Sequence, residues 1–391
     1  MALYALMRKN LLIVTAQLGP LSETRRHVEH LLPGQTVAVA WNSGAPSGAK
    51  WNAPCPVLFL DRWAMRLPVR IAQSAGISSA KLRDLAITLF LRRHGVGMVL
   101  GEYLDRFLPL VPLMERLRIP YAVHGHDTDL SVALRQAGMT RRYQVYNSAR
   151  AIFTRCEFHR RRLIAIGLPV ERIHVNPGGV DIPPVDLRRS PDAAKRFLAV
   201  GCTVSKNRPI YLLEAFRLAA LSNPEITLDY IGGGELLRAA RQFVDGIGLG
   251  QRVRLHDAKS EETKQRLLRE CGVFVRHSVT DPETGEDEGL PIAIQEAMAH
   301  GMAIIGTRHS GIPEAVQDGV MGLLTGEGDS PGMAEAMLRL SVQEGRCSQF
   351  GAAARAKAER LYSWDAERAR ILRVFAKFSL RHQPLRIGLR I

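Results

Sequence analysis

The chain has 391 residues, of which 46% are hydrophobic and 23% are charged, which is typical of a globular protein with material for two domains or three. Its five cysteines stand singly and form no C-x-x-C pair, which argues against a disulfide framework and a cysteine zinc site. No apolar run reaches the roughly 18–20 residues of a membrane span. Arg8 and Lys9 interrupt the first apolar segment, so we predict no signal peptide and a cytoplasmic chain, with peripheral attachment to the inner membrane as an option.

The net charge of +15 is uneven along the chain. Residues 1–184 hold 24 Lys and Arg against 12 Asp and Glu, a net +12, whereas the remainder holds 29 against 26, a net +3. This indicates an anionic partner of the first half, for which nucleic acid, an anionic membrane surface, a lipid-phosphate acceptor or simply a solvated basic face are the alternatives. Basic residues alternate with apolar ones at 62–67 and 158–164, which favours the membrane, as does the basic tail at 381–390. No nucleic-acid-binding motif is present, so we predict no nucleic acid partner.

In chain order, short apolar segments alternate with longer helical ones. The predicted strands of the first half are 11–15, 36–40, 57–60, 98–101, 121–123, 151–154 and 173–176, and helices are predicted at 24–32 and 78–94. Such alternation is typical of βαβ units around a parallel sheet.

A segment rich in Pro and Gly at 176–184 then interrupts the alternation and is predicted to be a hinge. After it the alternation restarts, with strands at 197–200, 227–231, 253–256, 273–276 and 303–306 and helices at 209–220, 235–246, 261–270 and 291–300. The predicted fold class is α/β, with one doubly wound, Rossmann-like domain at 1–184 and another at 185–364. Ligands of such domains bind at the carboxyl ends of the strands, so we expect the site in a cleft between the two.

The segment from Glu288 to Glu296 carries the clearest chemistry. Two carboxylates stand eight positions apart, and Pro291 suits the first turn of a helix, which places Glu288 in a loop and Glu296 on the helix. The glycine between them lets a ligand approach the backbone, and the N–H groups that begin a helix favour a phosphate. One carboxylate can then accept hydrogen bonds from a sugar and the other from a ribose.

These residues, together with the segments 296–299, 307–314 and 322–324, closely resemble the C-terminal domain of retaining glycosyltransferases of family 4, as in bacterial exopolysaccharide synthesis of the colanic-acid type. The E-x7-E motif is intact. His124-Gly125-His126-Asp127 is similar to the H-G-x-D segment of that group, residues 177–181 to its P-x-G-V-D, and Gly232-Gly233-Gly234 to its glycine turn. The resemblance implies the GT-B fold, in which two Rossmann-like domains face each other across a cleft, and a last helix and tail at 365–391 that return to the first domain.

The resemblance also implies roles for individual residues. His124 and Glu288 would contact the donor sugar as catalytic residues, and Glu296 would bind the ribose. Other implied donor contacts are Gly19, Gly233, Gly289 and Leu290, and we place Glu23 and Asp127 on the acceptor side. It further implies retention at the anomeric carbon, no metal and no cofactor, and a UDP- or GDP-sugar as donor. The first loop, 21–24, resembles that of the same group.

One motif departs from the family. Members usually carry G-R-x-x-x-x-K-G after the first strand of the second domain, where the arginine and lysine neutralise the donor diphosphate, but this chain has Cys202 and Asn207 at those positions. Each lost contact between a cation and a phosphate typically costs about 1.5–3 kcal/mol. Three explanations remain open. In the first, the missing pair is replaced by another cation: Lys206, Arg208, Arg276 or Arg254. In the second, the donor is a sugar with a single phosphate, such as a CMP-linked one, or another activated sugar. In the third, the protein no longer catalyses sugar transfer.

The predicted function is transfer of a sugar, with retention, from a nucleotide-sugar to a saccharide or lipid-linked saccharide during cell-surface polysaccharide synthesis. The alternative is a degenerate GT-B protein that acts as a non-catalytic glycan-binding or partner subunit. Asp127-Thr128-Asp129 matches the D-x-D metal motif of the other glycosyltransferase architecture, but its context is that of H-G-x-D, so we predict no metal there. The acidic loop at 281–287 lacks the ligand spacing of a calcium loop and is predicted to be solvated.

Overall fold

The computed structural model describes residues 9–18, 24–42, 53–64, 74, 76–184, 189–256 and 261–379. Its contacts divide the described chain into two compact units. The first unit comprises the chain up to Thr154, residues 160–176 and the chain from Arg368; the second comprises residues 155–159 and 177–367. The division near the hinge thus falls at Asn176, and five residues from 155 to 159 pack with the second unit.

The first unit contains a sheet of seven parallel strands. They are β1 (Asn10–Gln17), β2 (Thr36–Asn42), β3 (Val57–Phe59), β4 (Val96–Glu102), β5 (Tyr121–His124), β6 (Ala151–Thr154) and β7 (Ile173–Val175), in the order β3-β2-β1-β4-β5-β6-β7. Every pairing is parallel, for example Leu12 with Val37 and Val99. Residues 11–14 are at most 2% exposed, since a strand covered on both faces is apolar throughout. The predicted parallel sheet is confirmed.

Short helices connect these strands. They are α1 (Arg25–His30), α2 (Leu60–Ala64), α3 (Ser79–Arg93), α4 (Leu104–Phe107), α5 (Val111–Leu117), α6 (Asp127–Leu130), α7 (Val132–Arg135), α8 (Met139–Tyr143) and α9 (Glu157–Ala165), with 3-10 turns at Leu108–Leu110, Gln144–Ser148 and Val170–Arg172. The helix α3 begins at the predicted place because the Ser78 hydroxyl accepts a hydrogen bond from the Lys81 N–H and caps it.

The second unit contains six parallel strands. They are β8 (Arg196–Val200), β9 (Thr227–Ile231), β10 (Val253–His256), β11 (Val273–Arg276), β12 (Ala303–Thr307) and β13 (Gly322–Thr325), in the order β10-β9-β8-β11-β12-β13. Its helices are α10 (Pro209–Ser222), α11 (Leu237–Gly246), α12 (Glu261–Glu270), α13 (Ile292–Ala299), α14 (Ile312–Ala315), α15 (Ser330–Ser341), α16 (Glu344–Leu361) and α17 (Trp364–Ser379), with 3-10 turns at Pro191–Lys195 and Ser205–Asn207. The five predicted strands are present, and β13 is a sixth.

The C-terminal half of α17 belongs to the first unit. Ile371, Val374 and Phe375 pack there with buried residues of β1, and the ring centroids of Phe375 and Phe153 lie 6.1 Å apart. The Arg368 guanidinium donates to the carbonyl of Leu31 at 3.0 Å. Among the helices of the described chain, none combines the length and apolar character that crossing a bilayer requires.

Each sheet has one point at which the strand order reverses. In the first unit the chain builds β1, β2 and β3 outward and then returns to place β4 on the other side of β1; in the second it does the same with β8 and β11. Loops leave these two strand pairs in opposite directions, which opens a crevice at their carboxyl ends where ligands of such sheets bind. The polar residues described next lie at these two switch points.

Candidate functional site

At the switch point of the second unit, the loop after β8 packs closely on the glycine turn after β9. Thr203 donates its N–H to the carbonyl of Gly233 at 3.0 Å. A Cβ added to Gly232 would lie 2.0 Å from the carbonyl oxygen of Gly201, and one added to Gly234 would lie 2.7 Å from that of Thr203. The glycines are therefore required by this backbone contact, which fixes the position of the loop 201–208.

The side chain of Arg276, the last residue of β11, fills the crevice. It is 4% exposed and donates from Nη1 to the Val200 carbonyl at 2.9 Å, from Nη2 to Asn207 Oδ1 at 2.7 Å and from Nε to Ser278 Oγ at 3.2 Å. A second Nη2 hydrogen bond reaches Glu288 Oε2 and forms an ion pair. The guanidinium lies so near the backbone of Gly201 that a Cβ there would overlap it.

The Glu288 carboxylate is held in its ionised form by this arrangement. Burial acts to raise the pKa of Glu288, but the Arg276 guanidinium and, after it, the Lys206 ammonium act in the opposite direction, and the pKa lies below the usual value. The side chain keeps 16% of its surface exposed. It can therefore accept hydrogen bonds from a ligand while it remains paired with Arg276.

The two residues that depart from the family pattern, Cys202 and Asn207, differ in burial and in contacts. Asn207 is 3% exposed and donates from Nδ2 to the Cys202 carbonyl at 2.7 Å, so it braces the loop and presents its oxygen to Arg276. The Cys202 side chain is exposed.

The four cations named as replacements differ in position. Lys206 Nζ lies 2.8 Å from Glu286 Oε1, and the Arg208 guanidinium lies over the Tyr211 ring. Arg254 Nη1 lies 3.8 Å from Asp229 Oδ1. Arg276 contacts Asn207 itself.

The E-x7-E segment adopts the expected loop and helix, with one correction. The helix α13 begins at Ile292, and Pro291 is the N-cap with an extended backbone rather than a residue of the first turn. Gly289 and Leu290 are buried just before the helix, and the Gly289 carbonyl accepts the N–H of Gly311 at 2.7 Å. Glu296 lies on the second turn of α13 and pairs with Lys264 Nζ at 3.0 Å.

The acidic loop 281–287 is not the solvated loop that the sequence predicts. Its ends are buried: Asp281 is 6% exposed and accepts the N–H groups of Glu283 and Thr284, and Asp287 is 0% exposed and lies 3.2 Å from the ring of His159. The residues between them, 282–284, are exposed. The prediction failed because acidic side chains that cap a tight turn or meet a buried histidine have the same composition as solvated ones.

A second polar cluster lies at the switch point of the first unit. The Glu102 carboxylate, at the end of β4, is 0% exposed and is surrounded by His27 from α1, His124 from the end of β5, and His126. His27 Nδ1 lies 2.6 Å from Oε1, His126 Nε2 lies 2.8 Å from Oε2, and His124 Nδ1 lies 3.4 Å from Oε2. Burial acts to raise the pKa of Glu102, but the positive charge of His27 and His124 outweighs it, and the pKa lies well below its usual range.

His124, predicted to contact a donor sugar, is 0% exposed in this cluster. Neither ring nitrogen has a hydrogen-bond partner within the described part of the chain. Its ring lies 4.8 Å from that of His126 and 5.7 Å from that of His27, measured between centroids. The histidine that the sequence singled out is therefore one member of a buried group.

Of the remaining predicted residues of the first unit, some are described by the structure and some are not. Asp127 begins the helix α6 and is half-buried, while Asp129, the second acid of the D-x-D pattern, accepts the backbone N–H groups of Leu104 at 2.6 Å and His126 at 2.8 Å. Burial raises the pKa of Asp129 to about 8. Gly19 and Glu23 lie outside the described residues.

The basic-apolar segment at 158–164 is accounted for by packing. Leu163 and Ile164 join the core of the first unit, and the guanidinium groups of Arg160 and Arg162 donate to the carbonyls of Ile173 and Leu130. This correction removes the segment as an indication of membrane contact. Of the other segments, 65–67 and 381–390 lie outside the described residues.

Sequence reasoning missed Glu102 and His27. A single acid at the end of an otherwise apolar strand, as in Val96–Glu102, is a signal that could have identified Glu102, because a charge adjoining a buried parallel strand is rare without a partner. His27 carries no such signal, since its contact depends on a residue 75 positions away.

Comparison with known families identifies the second unit. Residues 188–357 match the family described as glycosyl transferases group 1. These residues form a glycosyl transferase group 1 domain. The match includes Arg276, Glu288 and Glu296, so the switch-point crevice belongs to the matched region.

Some of the curated relatives are named for the synthesis of bacterial polysaccharides. The chain is 34% identical over 200 residues to the amylovoran biosynthesis glycosyltransferase AmsK of Erwinia amylovora, which covers 51% of this chain and 49% of that protein. It is 26% identical over 275 residues to the putative colanic acid biosynthesis glycosyltransferase WcaL of Escherichia coli, which covers 68% of this chain and 59% of that protein. The chain thus spans about half of the length of the curated relatives it matches.

Solved structures show the fold. Anabaena Alr3699/HepE in complex with UDP is similar with a TM-score of 0.75 at 17% identity, over 94% of this chain and 100% of that one. The sucrose-phosphate synthase of Thermosynechococcus elongatus is similar with a TM-score of 0.70 at 15% identity, over 96% of this chain and 100% of that one. The predicted GT-B fold with two Rossmann-like domains is confirmed.

Proposed function

We propose that the protein transfers a sugar from a nucleotide-sugar to a hydroxyl of a saccharide or lipid-linked saccharide in exopolysaccharide synthesis. The observation that carries the proposal is the crevice of the second unit, where Glu288 and the start of α13 lie beside the guanidinium of Arg276. A carboxylate acceptor, a helix N-terminus and a cation at one switch point match the hydroxyls and phosphates of such a donor.

Each element has a chemical task in this proposal. The carboxylate of Glu288 accepts hydrogen bonds from the donor sugar. The carboxylate of Glu296, on α13, accepts them from the ribose. The amides at the start of α13, after Gly289 and Leu290, face the leaving phosphate, where negative charge develops as the glycosidic bond breaks. Groups fixed in advance in this way stabilise the transition state without reorganisation.

Arg276 is our choice for the cation that replaces the missing pair. Its guanidinium binds Asn207, at one of the two altered positions, and lies on Gly201, next to the other, Cys202. Of its five N–H groups, four make the hydrogen bonds described above, and the fifth makes none within the described chain. That N–H remains available for a phosphate oxygen. Lys206 lies close enough to Glu288 to affect its pKa and is a second source of positive charge.

The choice of donor and the stereochemistry are also proposals. The Anabaena protein is described with UDP and with UDP-glucose, and a relative from Mycolicibacterium smegmatis is named as GDP-mannose-dependent. These names support a UDP- or GDP-sugar. We further propose retention at the anomeric carbon without a metal, with the departing phosphate as the base and His124 near the reacting carbon.

Peripheral attachment to an anionic membrane has support on one helix of the first unit. Leu85 and Leu89 are 53% and 57% exposed, one turn apart on α3, and the exposed cations Lys81 and Arg92 continue the same face at either end. An exposed apolar pair between cations suits an anionic lipid surface. Co-sedimentation with anionic and with neutral vesicles tests this, and equal recovery from the two would contradict it.

Thermal stability in the presence of nucleotides tests the central proposal. We expect UDP, GDP or one of their sugars to raise the melting temperature, because a ligand at 100 times its Kd stabilises the folded state by about 2.7 kcal/mol. A shift with CMP alone would favour the single-phosphate donor. Folded protein that responds to none of them would support the alternative of a non-catalytic subunit.

Two variants connect binding with turnover. Glu288→Ala should lose most transfer activity, whereas Glu283→Ala, an exposed acid of the loop 281–287, should keep it and is the matched control. If folded Glu288→Ala and His124→Ala proteins transferred sugar as fast as the unchanged protein, the proposed roles would be wrong.

A further inference from the structure

Three imidazole rings surround the single buried carboxylate of Glu102. Oε1 is engaged by His27 Nδ1 at 2.6 Å and Oε2 by His126 Nε2 at 2.8 Å. The third ring, His124, faces the same carboxylate, and its two nitrogens have no hydrogen-bond partner within the described residues. A fully buried imidazole has lost its water, and His124 has only the contact with Glu102 at 3.4 Å in return, so the burial of this ring is costly.

We propose that His27, Glu102 and His124 form a binding site for a divalent transition-metal ion, zinc by preference. Their ligand atoms all lie within 4.8 Å of one another, and each residue is buried. The carboxylate is shared between rings from different elements, α1 and β5, with β4 between them. A metal bound here ties together three elements at the switch point of the first sheet.

The distances suit tetrahedral coordination. His124 Nδ1 and Glu102 Oε2 are 3.4 Å apart. Ligands placed about 2.0–2.1 Å from a tetrahedral zinc are separated by about 3.3 Å. The separation of 2.6 Å between His27 Nδ1 and Oε1 is that of a hydrogen bond. Its proton would leave on metal binding, and the two atoms would move apart. Two imidazoles and one carboxylate favour zinc and its transition-metal neighbours over magnesium or calcium.

His126 has a separate task in this proposal. Its Nε2 holds the Glu102 oxygen that faces His124, and its ring stacks on Tyr103 with centroids 4.1 Å apart. Such an outer hydrogen bond orients a ligating carboxylate. His124 would bind the metal through Nδ1. The ion would hold the three elements in place and take no part in the transfer, which we propose to proceed without a metal. The proposal that a metal ion binds these three residues does not depend on the proposed glycosyl transfer.

The test measures metal binding by the full chain, purified without a histidine tag. Metal is removed with a chelator, and zinc and cobalt are titrated against a competing dye. We expect one ion per chain, cobalt absorption of tetrahedral intensity, and a higher melting temperature with zinc. Glu102→Gln and His124→Ala should each weaken binding more than 100-fold, and His126→Ala about 10–100-fold, as expected for an outer partner.

His309→Ala is the matched control. That ring is also buried and also pairs with a carboxylate, Glu327 at 2.7 Å, but no second histidine among the described residues shares the carboxylate. It should bind metal as the unchanged protein does. The proposal is overturned if the folded, unchanged protein takes up neither ion, or if Glu102→Gln and His124→Ala, with native circular dichroism, bind as tightly as His309→Ala. Because no readout is turnover, failure here is distinct from failure of the proposed transfer.

Discussion

The switch points of the two sheets carry opposite charges at the same topological position. Arg276 ends β11 beside β8, and Glu102 ends β4 beside β1. Both side chains are buried, but the guanidinium has an ionised partner in Glu288, whereas the carboxylate is shared among imidazoles. The first site is an ion pair in which one N–H of Arg276 makes no hydrogen bond within the described chain. The second is a carboxylate surrounded by three imidazole rings.

The difference shows two ways in which a buried charged side chain is stabilised at such a crevice. A guanidinium distributes its charge over carbonyl, amide and carboxylate acceptors, so the side chain of Arg276 is held by several hydrogen bonds inside the second unit. The carboxylate of Glu102 is surrounded by three imidazole rings, and the metal proposed above would bind between it and two of them. The predictions below test whether the ion pair, rather than the surroundings in general, makes the second unit rigid.

The largest expected effect follows from breaking the ion pair. Arg276→Met should lower the free energy of unfolding by about 3–5 kcal/mol, because the largely buried carboxylate of Glu288 loses its ion-pair partner. Urea unfolding followed by circular dichroism measures this. The double variant Arg276→Met/Glu288→Gln should recover part of the loss, since the uncompensated charge is gone. Equal stability of the single and double variants would mean that the pair is not what holds the crevice.

The next effect concerns the residue after Arg276. Burial, followed by the charges of Arg208, His309 and Arg276, lowers the pKa of His277 from 6.5 to about 4, and its Nε2 accepts the N–H of Gly328 at 3.1 Å. The unfolded chain therefore binds a proton between pH 6.5 and 4 that the folded chain does not, and stability falls as the pH falls through that range. The expected loss is about 2–3 kcal/mol.

His277→Gln, which keeps an acceptor but does not titrate, should flatten this decline. Unfolding by urea at several pH values between 7 and 4 provides the comparison. His30→Gln is the control, since that ring is 58% exposed in its side chain. Parallel declines for His277→Gln and the unchanged protein would show that another group carries the pH dependence.

The fold could be predicted closely where strands are buried on both faces. The predicted strands 227–231 and 273–276 coincide with β9 and β11, which are short and mostly buried. The predicted strand 253–256 coincides with β10, which lies at the edge of the sheet and is only partly buried. The strand β13 was not predicted, since its four residues, Gly-Leu-Leu-Thr, are too few to show a period.

The candidate site could be predicted only in part. The sequence named Glu288, Glu296 and four candidate cations, but the choice of Arg276 depends on a contact with Asn207, 69 positions away. The imidazoles around Glu102 come from separate elements, and no local pattern brings them together. Pairings across a sheet are set by topology, which a linear motif does not contain.

The smallest effect is expected for the other carboxylate of the motif. Glu296 pairs with Lys264 across two helices, with 22% and 18% of the side chains exposed, and Lys264 also meets the exposed Glu261 at 3.1 Å. Water can therefore reach both groups, and Lys264→Met should cost only about 0.2–1 kcal/mol in urea unfolding. Arg266→Met, which breaks a pair with Glu270 on the same helix, is the control. A loss as large as that of Arg276→Met would show that water does not weaken this pair and that its exposure does not distinguish the two carboxylates.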